Sequence, residues 1–599
     1  MTLKSLRLWP AVLAVVVLWA SRLGVKTAVD GFPGFALAMQ GAIICALLIV
    51  IWWAFFSRAP LGERWGTLAV MALGLLFTWL LRHGSMGPLW MLGYAVPVLC
   101  TVLVLSAIAT HRLPSRARRA WMAGVILLAC GVWLLARTDG IDGDHDARFA
   151  WRWAATPEER LLAAPAGELA PAARPVEMPA APPAVATAKP DPAPVTPAPL
   201  SPAAAMLVGD WPGFRGPNRD GIVRGARIAT VWSRTPPVEV WRRPIGPGWS
   251  SFAVRGGLLY TQEQRGEDEV VACYRVATGQ PVWAHRDRTR FFESNAGAGP
   301  RATPTVNAQR VYALGATGIL NALDAATGAV AWSRNVTADS AAPVPYWGFS
   351  SSPVVTDGQV IVAAAGQLLA YDAATGEPRW SGPEGDGYSS PHLATIGGVP
   401  QILHVRDAGI IGVAPADGTV LWQHSWSGTP IVQPAITRDG DVLLVAGAAS
   451  GTRRVHIARG PEGWRVEERW TSNGLKPYFN DFIVHEGHAY GFDARILAAI
   501  DLATGERKWK GGRYGNGQLL LLEDQRVLLV LSEDGELVLV SASPDAFTEL
   551  GRFKAIEGKT WNHPVLVGDL VLVRNSEEMA AFRVAQPAES GVKPRDAGR

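Results

Sequence analysis

The first part of the chain alternates between long apolar runs and short charged segments. Five runs are each close to the ~20 residues that a helix needs to cross a bilayer. The first run has no convincing small-residue cleavage site and four more follow it, so we interpret it as a retained helix rather than a removed leader. The pattern predicts a transmembrane domain of five helices over residues 1–138. The runs are residues 8–25, 35–56, 65–81, 89–109 and 120–136.

Basic residues lie before the first run, between the second and third, and between the fourth and fifth. These three segments face the same side of a membrane if the helices alternate in direction. The positive-inside rule makes that side the cytoplasm, and an odd number of spans then places the rest of the chain outside it. The expected location is the bacterial inner (cytoplasmic) membrane, multi-pass, with the C-terminal part in the periplasm. The residues concerned are Lys4, Arg7, Arg58, Arg64, Arg112, Arg116, Arg118 and Arg119.

Residues 139–208 are interpreted as a linker because Ala and Pro dominate them from about residue 154 onward. Such a composition has too few aromatic and branched apolar side chains to form a core, and its prolines favour extended segments. The sequence therefore predicts a disordered tether between the membrane domain and the region that follows. The last residues, 586–599, are predicted to be a disordered tail.

Between these segments, short apolar strands alternate with turn residues. The sequence ALDAATGAVAW at 322–332 recurs as AYDAATGEPRW at 370–380 and as AIDLATGERKW at 499–509, with looser copies at 273–283 and 412–422. In each full copy the Asp accepts hydrogen bonds from turn amides and the Gly supplies a positive φ, which together predict a tight hairpin. The Trp presents a flat apolar face to a neighbouring unit. Repeats of this kind predict a β-propeller.

Two independent counts predict eight blades. Aromatic residues recur at intervals of roughly 39 to 49 residues, the length of a four-stranded blade. They are Trp241, Trp283, Trp332, Trp380, Trp422, Trp470, Trp509 and Phe553. Small polar triplets that predict inner strands alternate with them, beginning at Ser250, Ala302, Ser351, Ser389, Val432, Asn480, Asn516 and Asn562. The strand at 238–241 has no inner partners before it and the strand at 579–584 has no outer partner after it. The two are therefore predicted to pair and to close a ring over residues 209–585.

The pattern A-x-D-x-x-T-G-x-x-x-W resembles the tryptophan-docking repeat of the quinoprotein (PQQ-like) propeller superfamily. The sequence GDWPGFRGPNRDG at 209–221 resembles the start of bacterial PQQ-like propellers, and it is expected to cap the ring with Trp211 and Phe214 buried. The resemblance implies an all-β eight-bladed propeller after an α-helical domain of five spans. Membrane-bound quinoprotein glucose dehydrogenases share that architecture and pass electrons from PQQ to ubiquinone. The compact repeat is also similar to the scaffold propeller of the outer-membrane assembly machinery, which binds proteins and no cofactor.

The chain departs from the dehydrogenases of this superfamily in two ways. It lacks the long excursions between blades that build their pocket for PQQ, calcium and a catalytic Asp. The string nearest to their W-S-x-N-G-x-D signature begins at Trp470 and has Lys476 where the Asp is expected. Both departures favour the scaffold interpretation.

Charge and cysteine content argue against a nucleic-acid partner and against a disulfide in the propeller. The formal net charge of +4 is small for 599 residues and no long basic run is present, so nucleic acid is not an expected partner. Of the four cysteines only Cys273 falls in the propeller, so no disulfide is expected within that domain.

Ligands of propellers usually lie over the axis, on the loops that lead into the inner strands. Here those loops carry aromatic residues together with Lys, Arg and Asn, which suit a planar anionic molecule held by stacking and charge-assisted hydrogen bonds. The alternative is that the aromatic rings wedge between blades and the polar groups bind axial waters. The candidate ring comprises Trp249, Arg301, Trp347, Tyr388, Lys476, Asn480, Arg513, Asn516, Lys559, Trp561 and Asn562.

Three functions are carried forward. The favoured one is a membrane-anchored, extracytoplasmic binding or scaffold module whose partner is another envelope protein. The second is a PQQ-dependent sugar or alcohol dehydrogenase that reduces membrane quinone. In that enzyme Lys476 would bind PQQ, Asn480 would complete the shell of a calcium ion, and Asp481 would be the metal ligand or catalytic base. The third, which rests on the exposed aromatic residues, is a polysaccharide or cell-wall binder.

Overall fold

A computed structural model describes residues 8–28, 31–143, 146–164, 209–447 and 450–586. Most of the predicted linker and nearly all of the predicted tail lie outside these residues. The described chain consists of a helical N-terminal domain, a short β-hairpin with a helix after it, and a ring of eight β-sheets.

All five predicted apolar runs are helical. Four helices are long and apolar enough to cross a membrane, namely Gly34–Phe56, Leu61–Leu81, Met91–Ala109 and Ser115–Leu135, and a shorter apolar helix covers Trp9–Val25. The individual elements are α1 (Trp9–Ala28), α2 (Gly31–Ile51), a π-helical turn (Trp52–Phe56), α3 (Leu61–Leu81), α4 (Pro88–Trp90), a second π-helical turn (Met91–Ala95), α5 (Val96–Ala109) and α6 (Ser115–Leu135).

A buried ion pair joins the first turns of α3 and α6. Arg118 donates from Nε to Glu63 Oε1 at 2.5 Å and from Nη2 to Glu63 Oε2 at 2.8 Å, and both residues are buried. Two-point contact of this kind fixes the relative position of the two helices. Both helices therefore begin on the same side of the domain.

The start of the predicted linker differs from the expectation, because the end of one strand, a second strand and a helix lie within residues 139–143 and 146–164. Strand β1 (Ala136–Ile141) pairs with β2 (Ala147–Trp151), and α7 (Pro157–Ala163) follows with a capping box between Thr156 and Glu159. Phe149 packs against Trp133 and Tyr94 of the helical domain, at ring-centroid distances of 5.6 and 5.1 Å. The aromatic contacts of Phe149 and the capping box of α7 therefore hold in regular structure a stretch that was predicted to be disordered from its Ala/Pro content.

The propeller has eight four-stranded antiparallel sheets, as predicted, and we number the blades in chain order. In each blade the strands below run from the ring axis outward. Blade 1 is Ala253–Arg255, Leu258–Arg265, Asp268–Arg275 and Pro281–Asp287; blade 2 is Thr305–Asn307, Arg310–Leu314, Ile319–Asp324 and Val330–Asn335; blade 3 is Val354–Thr356, Gln359–Ala364, Gln367–Asp372 and Pro378–Ser381; blade 4 is His392–Ile396, Val399–Arg406, Gly409–Val413 and Val420–Ser425.

The second half of the ring repeats this order. Blade 5 is Ala435–Ile436, Val442–Leu444, Thr452–Gly460 and Gly463–Ser472; blade 6 is Ile483–His485, His488–Asp493, Ile496–Asp501 and Arg507–Arg513; blade 7 is Gln518–Leu522, Val527–Leu531, Glu536–Ser541 and Glu549–Lys554; blade 8 is Val565–Val567, Leu570–Arg574, Glu578–Arg583 and Val238–Pro244. Small additions are Ile222–Val223 beside blade 7, the pair Phe292–Glu293 and Gly297–Ala298, the helix Val336–Ser340 and the 3₁₀ turn Glu523–Gln525.

The ring closes as the sequence predicts. The early strand Val238–Pro244 is the outer strand of blade 8 and pairs antiparallel with Glu578–Arg583 from near the end of the described chain. Most of the small polar triplets directly precede the inner strands, where the backbones converge on the axis. Ser250, Ser251 and Phe252, for example, come immediately before the strand Ala253–Arg255.

In most repeats the Trp docks onto the turn of the next repeat, whereas Trp422 donates to Gln401 Oε1 of its own blade. Asp324 Oδ1 accepts from the amides of Ala326 and Thr327 at 3.1 and 2.9 Å, which fixes one turn. Trp332 donates from Nε1 to Ala373 O at 3.1 Å in the following repeat. Gly376 lies so close beneath the indole that a Cβ there would be 2.7 Å from the ring, so this turn requires glycine. Blade packing and the turn sequence are thus coupled.

We expect Trp332→Ala to lower the free energy of unfolding by about 3 kcal/mol, because the indole is only 8% exposed. Trp380 is half-buried, so Trp380→Ala should cost less. Trp332→Phe keeps a ring against Gly376 and loses mainly the hydrogen bond, which is worth about 1 kcal/mol. Denaturant unfolding followed by fluorescence measures all three. Equal stability of wild type and Trp332→Ala would contradict the docking geometry.

Candidate axial binding site

The propeller has two distinct faces. The loops that lead from one blade into the next inner strand lie on one side, which we call the axial face. The hairpins that join the inner strand to the second strand, and the Thr-Gly turns, lie on the opposite side, which we call the turn face. In antiparallel blades this division follows from the alternating strand direction.

A cavity of about 340 Å³ lies on the axis at the axial face. Nine of its 24 lining residues are Phe, Tyr or Trp, and two of these, Phe35 and Trp90, belong to the helical domain. Within the propeller Trp561 packs against Trp249 and Phe479, at centroid distances of 4.7 and 4.9 Å, and Trp347 packs against Tyr388 at 4.9 Å. The cavity is therefore enclosed by two domains and offers flat apolar surfaces for stacking.

The segment 209–221 closes the axis from the turn face. Arg215 donates from Nη2 to Phe482 O at 2.7 Å, and Arg219 donates to Ser352 O and Pro353 O at 3.0 Å each. Phe214 lines the cavity and meets the ring of His563 edge-on at 5.0 Å. This segment caps the ring and buries Trp211 as predicted, but Phe214 is only half-buried because it faces the cavity.

Asp481 is one of the residues that line the cavity, and its carboxylate already contacts other groups of the chain. Oδ1 accepts the Gln433 amide at 2.7 Å, and Oδ2 is 3.7 Å from Arg215 Nε and 3.6 Å from His563 Nε2. Burial alone raises the pKa of Asp481, but the Arg215 charge, the contact with His563 and the Gln433 amide outweigh burial and lower the pKa overall. The group is ionised at neutral pH and balances a buried arginine.

The β1–β2 hairpin covers the same face of the propeller. The Ile141 amide donates to Asn295 O at 2.8 Å, and Lys559 donates from Nζ to Ile141 O at 2.5 Å. Lys559 also lies over the ring of Trp561, with Nζ 4.0 Å from the centroid. Burial lowers the pKa of Lys559 to about 8. On its other side the hairpin is held by Tyr94, which accepts the Ala147 amide at 2.9 Å. The hairpin thus bridges the helical domain and the ring axis.

A family model described as outer membrane protein assembly factor BamB matches residues 227–387, 267–511 and 406–595. These overlapping segments cover more than half of the chain. The chain belongs to this family.

Individual relatives are distant. The outer membrane protein assembly factor BamB of Yersinia pestis is 24% identical over 342 residues, which is 54% of this chain and 76% of that protein. Among solved structures, quinohemoprotein alcohol dehydrogenase from Comamonas testosteroni is 14% identical with a TM-score of 0.49, covering 65% of this chain and 83% of its own. BamB from Moraxella catarrhalis is 13% identical with a TM-score of 0.42, covering 59% and 99%.

The structure brings together part of the predicted ring. Six of its members line the cavity beside Asp481, and Lys559 lies next to them against the hairpin. The cavity members are Trp249, Arg301, Trp347, Tyr388, Asn516 and Trp561.

The other four predicted ring members lie away from the cavity. Lys476 forms an ion pair with Asp493 at 3.4 Å, and Asn480 is buried and accepts the Tyr478 amide. Asn562 donates to Gly248 O and Ser250 O, which ties two blades together. Arg513 ends the outer strand of blade 6, where it pairs with Ile496. The proposed cluster of Lys476, Asn480 and Asp481 is thus not assembled as one site, because these side chains serve separate local contacts.

The residues present do not fit PQQ with a calcium ion. Within the described ranges, no group of three or more His, Cys, Asp or Glu side chains could hold a metal. The carboxylates that line the cavity are Asp142 and Asp481, and the latter balances Arg215. Arg301, which could meet a ligand carboxylate, already pairs with Glu293 at 3.1 Å. A tricarboxylate cofactor would find no uncompensated cation in this cavity.

Sequence reasoning missed several lining residues. Gln518 and His563 belong to the predicted triplets that begin at Asn516 and Asn562, and Phe479 directly precedes the triplet at Asn480. The triplets therefore located these residues without giving the direction of their side chains. Phe35, Trp90 and the hairpin loop reach the cavity only through packing between domains. Their sequence carries no local sign of this contact.

We expect Gly143→Val to release the hairpin from the axial face. A Cβ at Gly143 would lie 2.1 Å from Glu533 Oε2 and 2.5 Å from Asn516 Nδ2, both of which are held in a buried network. Hydrogen exchange at the Ile141 amide should become about tenfold faster, since its bond to Asn295 depends on this docking. Gly84→Ala is the control, because nothing lies within 4 Å of a Cβ there. Unchanged exchange in Gly143→Val would show that the hairpin does not depend on this close approach.

Proposed function

We propose that the protein is a membrane-anchored scaffold whose propeller binds another protein of the bacterial envelope. Membership of the BamB family supports a binding role, since the Yersinia pestis relative is named an assembly factor. The main support for the proposal is that charged groups at the ring axis already form contacts within the chain. Asp481, Arg301 and Lys559 are each engaged by other groups of the described chain, so none of these three charged groups is free for catalysis.

The turn face is the surface that we propose for the partner. It carries an open groove of about 1650 Å³, formed by residues between 218 and 230, the inner strand of blade 4 and the first turns of blades 5 to 7. The groove lies on the side opposite the hairpin and the helical domain. Arg227 and Arg438 are exposed at its edge, and neither forms an ion pair with another described residue. Unpaired rim charges of this kind steer a partner and set specificity.

Site-specific photocrosslinking in native membranes tests this assignment. A crosslinking residue at Arg438 should give a discrete adduct, which mass spectrometry should identify as an envelope protein. The same residue at Arg465, on the exposed outer strand of blade 5, is the matched control and should give none. Arg227→Glu should weaken the Arg438 adduct. Absence of an adduct at both positions, or equal adducts at both, would contradict the proposed face.

We also propose that the protein lies in the inner membrane with a cytoplasmic N-terminus. The Glu63–Arg118 pair supports this arrangement, because it sets the arginine-rich starts of α3 and α6 on one side. A reporter active only outside the cytoplasm should be active after residue 164 and silent after Arg64 or Arg119. The reverse pattern would invert the topology.

We propose a revised role for the Ala/Pro-rich stretch. Its preceding helix, α7, docks on the axial face, where Glu158 pairs with Arg290 at 2.8 Å and accepts the Gly266 amide at 2.8 Å. Its following residue, Gly209, lies against Gly568 on the turn face. The stretch therefore joins opposite faces of the propeller. Contacts of the hairpin and α7, rather than the length of the stretch, set the position of the propeller relative to the helices.

A further inference from the structure

An exposed pair of indole rings lies just beyond the end of the last long helix. Trp151 and Trp153 stack on each other, with ring centroids 5.2 Å apart and an interplanar angle of 6°. They are 53% and 68% exposed, although tryptophan is on average one of the more buried side chains of water-soluble proteins. A contiguous apolar surface of this kind indicates contact with a partner or a membrane.

The strand that carries Trp151 shows which way the pair points. Trp151 lies two residues after Phe149 on β2, so the two side chains project from the same face of the hairpin. Phe149 packs against Trp133 and Tyr94, so that face is turned toward the helical domain. Trp151 extends the same face past the helical side chains, since about half of its surface is exposed, and Trp153 stacks beside it.

The end of α6 sets the depth of the pair relative to a bilayer. α6 has 21 residues and is about 31 Å long at 1.5 Å per residue, close to the hydrocarbon thickness of about 30 Å. With α6 spanning the membrane, its last residue, Leu135, lies at the edge of the hydrocarbon layer. Leu135 O accepts the Arg152 amide at 2.8 Å, and Trp151 pairs with Ala136. Both indoles are therefore at the depth of the headgroups, where tryptophan is enriched in membrane proteins.

An exposed arginine lies between the two indoles in sequence. Burial, and then the charge of Arg152, lowers the pKa of His83, which follows the end of α3. The guanidinium is therefore close to the ends of both α3 and α6. The nearby carboxylate of Asp139 pairs with Arg137 instead, and no ion pair joins Arg152 to a described residue. Arg152 thus offers an uncompensated positive charge at the depth of the lipid phosphates.

We propose that Trp151, Arg152 and Trp153 form a lipid-binding surface in the headgroup layer on the outer side of the membrane. The indoles pack at the boundary between headgroups and acyl chains, and Arg152 binds a phospholipid phosphate through charge-assisted hydrogen bonds. This surface continues the apolar exterior of α6, on which Leu128 and Leu135 are exposed, so one bilayer covers both. The inference rests on the membrane placement proposed above. It adds a lipid contact that holds the hairpin, and with it the axial face of the propeller, at the membrane.

Depth-dependent quenching of the full chain in vesicles tests this surface. Trp153→Cys carries a fluorescent label, and the four native cysteines are buried, which limits their labelling. The vesicles contain phosphatidylcholine and phosphatidylglycerol in equal parts. Spin labels near the lipid headgroup should quench this fluorophore at least about twice as strongly as spin labels at the end of the acyl chain. Leu128→Cys should show the reverse order, because this exposed position lies within α6. Arg465→Cys, on the exposed outer strand of blade 5, should be quenched by neither.

The role of Arg152 is tested in the chain labelled at residue 153. Arg152→Gln should lower the ratio of quenching by spin-labelled phosphatidylglycerol to quenching by spin-labelled phosphatidylcholine about fivefold, the effect of one arginine at an anionic surface. Arg465→Gln removes an exposed charge far from the hairpin and is the matched control, so it should leave the ratio unchanged. An equal ratio in both variants would show that Arg152 does not bind the headgroup.

Two results of the depth measurement would overturn the assignment, and they differ in what they imply. If the label at residue 153 behaves like the label at Arg465 while the label at Leu128 is quenched from the acyl chains, the helices span the bilayer but the indoles do not contact lipid. If neither the label at residue 153 nor the label at Leu128 is quenched, the proposed membrane placement is itself wrong, and the lipid-binding surface is wrong with it.

Discussion

Replacing the closing strand Val238–Pro244 with a Gly/Ser sequence of equal length is expected to abolish cooperative unfolding of the propeller. This strand is the outer partner of Glu578–Arg583, and no other strand of blade 8 can take its place. The replacement also removes Trp241, which is buried and donates to Val276 O at 2.7 Å in blade 1. The lost indole alone is worth about 3–5 kcal/mol, and the opened ring adds an exposed strand edge to that loss.

Thermal unfolding of the full chain in detergent, followed by tryptophan fluorescence, measures this effect. The variant should lose the sharp transition or shift it downward by many degrees, and it should aggregate through the exposed edge of blade 8. The control makes the same seven-residue replacement at residues 180–186 of the Ala/Pro-rich stretch, which should leave the transition unchanged. A variant that melts sharply at the wild-type temperature would show that the ring does not depend on this closure.

The blade count and the closure could be predicted because they rest on local, repeated chemistry. The turn Asp, the turn Gly and the Trp of each repeat contact one another within about 50 residues along the chain, so spacing alone reveals them. The inner-strand triplets are equally local, because crowding at the axis favours small residues in most of their positions. The same reasoning explains why the apolar runs of the membrane domain were found at nearly their observed bounds.

The axial site was predicted only in part, because its closure depends on contacts that are remote in sequence. Lys559 and Ile141 are 418 residues apart, and Asn516 and Gly143 are 373 apart. No pattern near residue 141 shows that the hairpin docks on the ring, and its flanking Ala/Pro content suggested disorder instead. Side-chain direction was the second obstacle. Lys476 and Trp561 both occupy blade-connecting loops, yet one turns to Asp493 and the other to the axis.

We expect Asp481→Asn to lower the free energy of unfolding by about 3–5 kcal/mol at pH 7, the cost of removing one partner from a buried ion pair. Asn can still accept the Gln433 amide, but it leaves the buried Arg215 without a counter-charge. Arg219, His392 and His563 are the other titratable groups around this position, and none of them supplies a negative charge. A structural anion, rather than a catalytic base, is therefore the role that the surrounding residues give to Asp481.

The pH dependence of the stability of Asp481→Asn shows whether the loss comes from the charge of Asp481 or from a change of side-chain shape. The folded pKa of Asp481 is lowered relative to the unfolded chain, so its stabilisation is present above about pH 4 and is lost as the pH falls through the folded value. Wild type and Asp481→Asn should differ by a constant amount from about pH 5 to 8 and converge in acid.

Asp493→Asn is the matched control for this comparison. Its carboxylate is also buried, but its partners Lys476 and Lys510 are partly exposed, so water can solvate them when the charge is removed. We expect that change to cost about 1 kcal/mol or less, in line with partly exposed ion pairs. Urea unfolding of both variants at pH 7 gives the comparison. If Asp481→Asn is as stable as Asp493→Asn, the charge of Asp481 is not needed to hold Arg215 in the axis, and the carboxylate would again be a candidate for chemistry.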